Sequence, residues 1–256
     1  MILTLNLENT DILLGCFQGE KLLFSSRLSA DRKRSRDEYA ISLRDILALY
    51  GVHTADLQGA IIASVVPGLT AVLKEALFLL LGREPLVVGP GVKTGLNIRM
   101  DHPASVGSDL VASAVAAIAE YPVPLVAVDM GTATTLLAVN GEKAYVGAII
   151  APGVSASLDA LAEHCDQLPR VAVEAPRDVL GKNTVDSIKS GLIYGTAAML
   201  DGLIMGVEEQ LGCECTVIAT GHNAKAIIPH CRRKMLLDEH LVLKGLRRIY
   251  EKNQKK

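Results

Sequence analysis

The stretch Val128-Asp129-Met130-Gly131-Thr132-Ala133-Thr134-Thr135 decides how this chain is read. After it come an apolar run to Val139, a turn at Gly141-Glu142-Lys143 and a further strand-like segment. Strand, polar turn, strand, glycine turn, strand is the pattern of a β-meander that opens a domain. The same order occurs earlier, as Leu5-Asn6-Leu7-Glu8-Asn9-Thr10, an apolar run to Phe17, Gly19-Glu20-Lys21 and a second apolar run. The two copies lie about half the chain apart, so a duplicated α/β fold is the economical reading, with domains over 1–118 and 119–256.

Between and after the meanders, helical and buried-strand patterns alternate. Helices are predicted over Asp37 to Tyr50, Thr70 to Leu81, Val185 to Gln210 and Leu241 to Lys252. Short strands are predicted over Ala60 to Val66, Pro85 to Val88 and Thr216 to Thr220. Strands alternating with helices after a meander imply mixed β-sheets flanked by helices.

Composition narrows the function classes. The 256 residues carry 26 Lys and Arg against 28 Asp and Glu, a net charge of −2 that argues against broad nucleic-acid or anionic-membrane binding. Half the residues are hydrophobic, which excludes disorder; only 4% are aromatic and Trp is absent, so aliphatic side chains must build the core. No membrane span is expected, because the most apolar stretch, Val111 to Met130, is broken by Glu120, Pro122 and Pro124. The start does not read as a signal peptide, since Asn6, Glu8, Asn9 and Asp11 interrupt the apolar run. Five cysteines, an odd count, fit reduced thiols in a cytoplasm, and Cys213-Glu214-Cys215 has no second Cys/His pair at metal-ligand spacing.

The candidate chemistry lies at the turns. At the second, the strand-end Asp129 can hold a cation, Gly131 allows close backbone approach to a phosphate, and Thr132, Thr134 and Thr135 can donate to phosphate oxygens. The repeat puts Asn6, Asn9 and Thr10 at the corresponding turn of the first half, and two such loops facing across a cleft would form a nucleotide clamp. Gly89-Pro90-Gly91-Val92-Lys93-Thr94-Gly95 does not match the spacing of a phosphate loop. In Gly107-Ser108-Asp109-Leu110, the Asp109 carboxylate can cap the small-residue helix that follows or act as general base on an alcohol. Arg32-Lys33-Arg34-Ser35-Arg36 is flanked by Asp31, Asp37 and Glu38, and reads as a solvated loop before a helix.

These residues carry a resemblance that covers nearly the whole chain. Ser64-Val65-Val66-Pro67, Gly89 to Gly95, Gly107-x-Asp109, Asp129-x-Gly131-Thr132-Ala133-Thr134-Thr135, Ala151-Pro152-Gly153, Leu168-Pro169, Asn183-Thr184-Val185-Asp186-Ser187-Ile188-x-Ser190-Gly191, Thr220-Gly221 and Leu241-x-Leu243-x-Gly245-Leu246 occur in the order and spacing of type III pantothenate kinases. The resemblance implies the actin-like kinase (ASKHA) fold of two RNase H-like domains, an obligate dimer, and ATP- and Mg²⁺-dependent phosphorylation of pantothenate, the first step towards coenzyme A. It further implies that Asp109 is the general base, that Met100, Gly107, Ser108 and Leu110 line the substrate, and that Thr184 meets pantothenate at the dimer interface. Asp129 corresponds to the site of a monovalent cation, K⁺ or NH₄⁺, while Asn6, Asn9, Thr10, Gly131, Thr132, Thr134 and Gly221 fall at nucleotide positions.

Several positions depart from the family pattern. Its first loop reads Asp-x-Gly-Asn-Thr, where this chain has Asn6-Leu7-Glu8-Asn9-Thr10. Asn6 keeps an oxygen for Mg²⁺ but loses the charge that attracts it. Glu8 adds a side chain and a negative charge beside a polyanion; one like-charge contact at about 4 Å and an effective dielectric near 20 costs roughly 4 kcal/mol before screening. Met100 stands for a Tyr, Leu110 for an Arg and His222 for a second Gly. Three readings follow: a working divergent kinase in a homodimer, an impaired subunit completing the site of an intact paralogue in a heterodimer, or a regulatory or nucleic-acid-binding protein on the same fold.

Overall fold

The computed structural model describes residues 1–254 and divides the chain into two compact units. In the first unit, β1 (Ile2–Leu7), β2 (Asp11–Gln18) and β3 (Lys21–Ser29) form the expected antiparallel meander. The helix α1 (Arg36–Leu49) follows, then β4 (Gly59–Ser64), α2 (Pro67–Leu81) and β5 (Leu86–Val87). The sheet order is β3-β2-β1-β4-β5, with β4 parallel to both β1 and β5. β1 is buried along its whole length because helices cover what the neighbouring strands do not.

Local chemistry accounts for the helix starts. Ser35 accepts from the Glu38 N–H at 3.3 Å while its own N–H donates to Glu38 Oε2 at 2.7 Å, a reciprocal cap that starts α1. Tyr39, Leu43 and Leu47, four residues apart, supply the buried face of α1, whereas Ile41 and Leu49 point to solvent despite fitting a looser apolar pattern. Pro67 does not end the preceding strand alone; it occupies the first turn of α2, where its missing N–H is harmless.

The second unit takes in β6 (Asn97–Ile98) and, beyond α3 (Ser108–Glu120), most of which belongs to the first unit, continues with β7 (Leu125–Met130), β8 (Ala133–Val139) and β9 (Ala144–Pro152). It continues through α4 (Val154–His164), α5 (Thr184–Leu211), β10 (Thr216–Thr220), the short α6 (Ala224–Ile227) and β11 (Leu236–Leu237). Its sheet order is β11-β10-β7-β8-β9-β6, with β7–β8–β9 antiparallel and β10 parallel to β7. Both sheets are therefore mixed and helix-flanked, as the fold class requires.

Some elements have no counterpart among the predicted ones, the short α6 among them. The helix α4 follows Ala151-Pro152-Gly153, and the minimal strands β6 and β11 are too short to leave a periodic signal. The last helix, α7 (Leu241–Gln254), packs on β1 and β4 and so belongs to the first unit, which is assembled from both ends of the chain. Gly245 is why it can: a Cβ there would run into the Ala112 carbonyl of α3, so only glycine permits this backbone approach. α5 is long and apolar enough to cross a bilayer by length and composition, but Ile188, Leu192, Ile193, Ala197, Leu200 and Ile204 bury its inner face in the second core.

Candidate active site

In each unit the candidate residues gather at the carboxyl ends of two parallel strands, the usual place for ligands in open α/β sheets. In the first unit these strands are β1 and β4, where Leu7 pairs with Ser64. In the second they are β7 and β10, where Asp129 pairs with Thr220.

The two turns match at their strand ends and differ at their tips. In the first, Leu7 pairs with Ile12, leaving Glu8, Asn9, Thr10 and Asp11 in the turn, closed by the Glu8 N–H donating to the Asp11 carbonyl at 2.8 Å. In the second, Met130 pairs with Thr134, leaving only Gly131, Thr132 and Ala133, closed by the Gly131 N–H donating to the Ala133 carbonyl at 3.1 Å. The first turn is thus one residue longer than its repeat.

Asn6 is 1% exposed, and its Nδ2 donates to Glu8 Oε1 at 3.0 Å. A carboxylate only accepts, so the amide must turn its nitrogen towards Glu8, which leaves Asn6 Oδ1 buried without a hydrogen-bond partner. A buried carbonyl oxygen left this way costs about 1–3 kcal/mol. The two substitutions at this turn are therefore coupled: the amide at position 6 restrains the acid at position 8. Asn9 and Thr10 stand exposed at the tip, and Thr10 Oγ1 donates to Asp11 Oδ2 at 3.0 Å. Arg27 Nη1 lies 3.4 Å from the same Asp11 oxygen.

Asp109 reaches the same strand ends through its neighbour. Ser108 Oγ accepts from the Ser64 N–H at 2.8 Å and donates to the Ser64 carbonyl at 3.0 Å, tying the start of α3 to the end of β4. Ser64 Oγ in turn accepts from Thr70 Oγ1 at 2.6 Å and from the Val66 N–H at 3.0 Å. Ser64-Val65-Val66-Pro67 carried no assigned role in the sequence; it is the bracket that holds Asp109. Burial pushes the Asp109 carboxyl above the ordinary aspartate range, opposed by the Leu110 N–H, which donates to Oδ1 at 2.9 Å. Gly107 and Leu110 flank it, both half-buried.

In the second unit, Asp129 and Thr132 are half-buried at the turn, whereas Thr134 is fully buried on β8, its hydroxyl turned from solvent. Two glycines make this turn compact. A Cβ on Gly221 (φ +91°) would stand 2.5 Å from Asp129 Oδ1, and one on Gly153 would collide with the Thr132 carbonyl. The Ala-Pro-Gly and Thr-Gly motifs are thus backing for the turn. His222 adjoins Asn223, with 3.0 Å between Nε2 and Nδ2, and the Asn223 N–H donates to the Met130 carbonyl at 3.2 Å.

Thr184 and Met100 both belong to the second unit. Thr184 is exposed at the first position of α5, whose cap Asn183 accepts from the Asp186 N–H at 2.9 Å. It lines an open cavity of about 780 Å³ with Pro152, Ser157, Leu161, His164 and Leu168. Met100 is half-buried just after β6, next to Arg99, whose N–H donates to the Tyr145 carbonyl at 2.8 Å.

The type III pantothenate kinase family model matches residues 2–205. A Halalkalibacterium halodurans type III pantothenate kinase is 41% identical over 99% of this chain and 100% of its own length. Among solved structures, a Campylobacter jejuni protein of the Baf family aligns with a TM-score of 0.61 at 15% identity, covering 99% of this chain and 100% of that one. An activator of 2-hydroxyisocaproyl-CoA dehydratase from Clostridium difficile, solved with bound ADPNP, aligns at 0.58 and 11% identity, covering 99% and 97%. The structural likenesses show a shared fold, and the full-length sequence relationship establishes the lineage: this chain belongs to the type III pantothenate kinase family.

Proposed function

We propose that the chain phosphorylates pantothenate to 4′-phosphopantothenate with ATP and Mg²⁺, the entry step of coenzyme A biosynthesis. The observation that carries the reading is the Asp109 carboxylate, bracketed through Ser108 to the end of β4, in a chain with full-length relatives of this family. Asp109 accepts the proton of the attacking hydroxyl as the oxygen–phosphorus bond forms and the bond from the γ-phosphorus to the bridging oxygen of ADP breaks. Its burial makes it a stronger base than a solvated aspartate. Asn6, whose buried Oδ1 has no partner within the chain, would be the first turn's ligand for Mg²⁺ bound with the nucleotide, and the ion would neutralise phosphate charge.

Asn9 and Thr10 in the first unit, with Gly131 and Thr132 in the second, present the groups that contact phosphate. Asn6 orients the first turn, Gly221 allows the second to close, and Thr134 supports β8 from inside. Asp129, beside which Gly221 leaves the space a Cβ would fill, offers the anionic oxygen that a K⁺ or NH₄⁺ ion requires. Gly107, Leu110 and Met100 line the acceptor. Thr184 meets it from a second copy of the chain, a role favoured by the exposed Val185 and Met205 on α5. Ser108 acts by holding Asp109, since its hydroxyl already donates and accepts. The domain division near 118/119 separates the two phosphate turns, with α7 returning to the first. A cytoplasmic location suits this chemistry.

The purified chain is expected to form phosphopantothenate from ATP, Mg²⁺ and pantothenate, detected by mass spectrometry. The rate should fall when Na⁺ replaces K⁺ or NH₄⁺, and light scattering should give a dimer. No product together with unmeasurable ATP binding refutes the reading.

A further inference from the structure

The first phosphate turn carries two carboxylates, Glu8 and Asp11, where a polyanion has to bind. The basic tract at residues 32–36 lies far from it in sequence, but the fold brings the two together. As β3 ends, the Ala30 N–H donates to the Thr10 carbonyl at 2.8 Å, stitching the following loop to the turn. Three hydrogen bonds from two partners then hold the loop at Asp31. The Asp31 N–H donates to Tyr39 Oη at 2.9 Å, Tyr39 Oη donates to the Asp31 carbonyl at 2.8 Å, and the Asp31 carboxylate accepts from the Lys33 N–H at 2.9 Å. In that frame Arg32 Nη2 reaches Asn9 Oδ1 at 3.4 Å.

The other arginines nearby are engaged elsewhere. Arg34 donates to Ser42 Oγ at 2.7 Å and lies 5.1 Å from the Tyr39 ring centroid. Arg36 pairs with Asp37 at 3.2 Å, and Arg27 with Asp11 at 3.4 Å. Arg32 meets a neutral amide of the turn, so its charge is not consumed by that contact. A guanidinium has five N–H donors in a rigid fork, and one bond to Asn9 leaves the others to planar or tetrahedral oxyanions.

We propose that Arg32 is a phosphate-binding residue of the nucleotide site, anchored on Asn9 and offsetting the negative charge of Glu8. The inference rests on the reading that this turn holds ATP. It explains how a chain with an acid in its first phosphate turn can still receive a polyanion, and it gives the basic tract a role in small-molecule binding rather than nucleic-acid binding.

The test is ATP·Mg²⁺ binding by calorimetry with wild type, Arg32→Gln, Arg32→Lys and, as a control, Arg36→Gln, together with steady-state kinetics. Arg32→Gln should weaken ATP about tenfold or more and leave the KM for pantothenate unchanged. Arg32→Lys should recover part of the loss, Arg36→Gln should match wild type, and added salt should narrow the gap between Arg32→Gln and wild type. In a Glu8→Gln background the penalty of Arg32→Gln should shrink, a coupling that a merely structural role would not produce. Melting curves identify any variant that fails to fold, and Asn9→Ala, which removes the anchor but not the charge, then supplies an independent arm with a smaller loss expected. ATP affinity of Arg32→Gln within twofold of wild type overturns the proposal, as does a loss confined to pantothenate. Wild type that neither binds ATP nor turns over refutes the nucleotide-site reading itself, whereas wild type that binds ATP with an unaffected Arg32→Gln refutes Arg32 alone.

Discussion

Replacing Glu8 by Gln isolates the electrostatic consequence of this chain's altered first turn. Gln keeps the shape and the acceptor oxygen, so the 3.0 Å donation from Asn6 Nδ2 and the closure of Glu8 N–H on the Asp11 carbonyl both survive. Stability should change by no more than about 0.5 kcal/mol. The altered quantity is one negative charge on a half-buried residue. At about 4 Å from a phosphate oxygen, that charge opposes binding by roughly 1 kcal/mol in bulk water and about 4 kcal/mol at an effective dielectric of 20. Glu8 lies between these limits and Arg32 offsets part of it, so about 1.5–2 kcal/mol is expected. This corresponds to a Kd for ATP lowered roughly 10- to 30-fold. Calorimetric titration with a non-hydrolysable ATP analogue and Mg²⁺ measures it, and the effect should fade with added salt. Unchanged or weaker binding in Glu8→Gln refutes the reasoning, since the carboxylate would then be turned from the phosphates or would itself hold the divalent cation.

Asp109→Asn should lower kcat by roughly 10²–10⁴-fold while ATP affinity stays within about threefold, read from steady-state kinetics. Because burial raises the Asp109 pKa, activity should fall as pH drops through a value above the ordinary 3.9 or so of aspartate, and this acidic limb should vanish in the variant. The stability effect has the opposite sign: the Asp109 contribution is full below the unfolded pKa and is lost as pH rises through the folded one. Asp109→Asn should therefore raise the melting temperature at pH 7 more than at pH 4. Ser108→Ala removes both bonds to the Ser64 backbone and should cost about 1–3 kcal/mol in denaturant unfolding, with kcat reduced and the KM for ATP unchanged. Gly245→Val drives a side chain into the Ala112 carbonyl and should destabilise by about 2–4 kcal/mol, the largest stability loss of the set.

Much of this was legible in the chain because it is written in local periodicity and in a repeat. The meander β1–β2–β3 and its copy β7–β8–β9 follow from alternating apolar residues around polar turns, and Thr216–Thr220 forms a strand within the limits its apolar run suggested. α1, α2, α5 and α7 followed from helical spacing and capping, to within a few residues. The coupled departures at Asn6 and Glu8 were visible because the second half supplies an internal standard in Asp129 and Gly131.

Other properties depend on residues far apart in sequence that meet only after folding. No local pattern says that Ser108 brackets Asp109 to Ser64, that α7 packs on the sheet formed by the first residues, or that Gly153 backs the turn at Thr132. Nor does local spacing show that Thr134 is sealed in the core while Thr132, two residues away, stays reachable, since Thr132 lies in the turn ahead of β8 and Thr134 within the strand. The sequence by itself therefore determined the lineage, the element order and the identity of the reactive groups, because those are carried by side-chain type and spacing. Only the tertiary structure decided the one-residue difference between the two turns, the hydrogen bond that restrains Glu8, and the return of Arg32 to Asn9. Strand register and long-range hydrogen bonds set those, and neither is encoded in any single window of the chain.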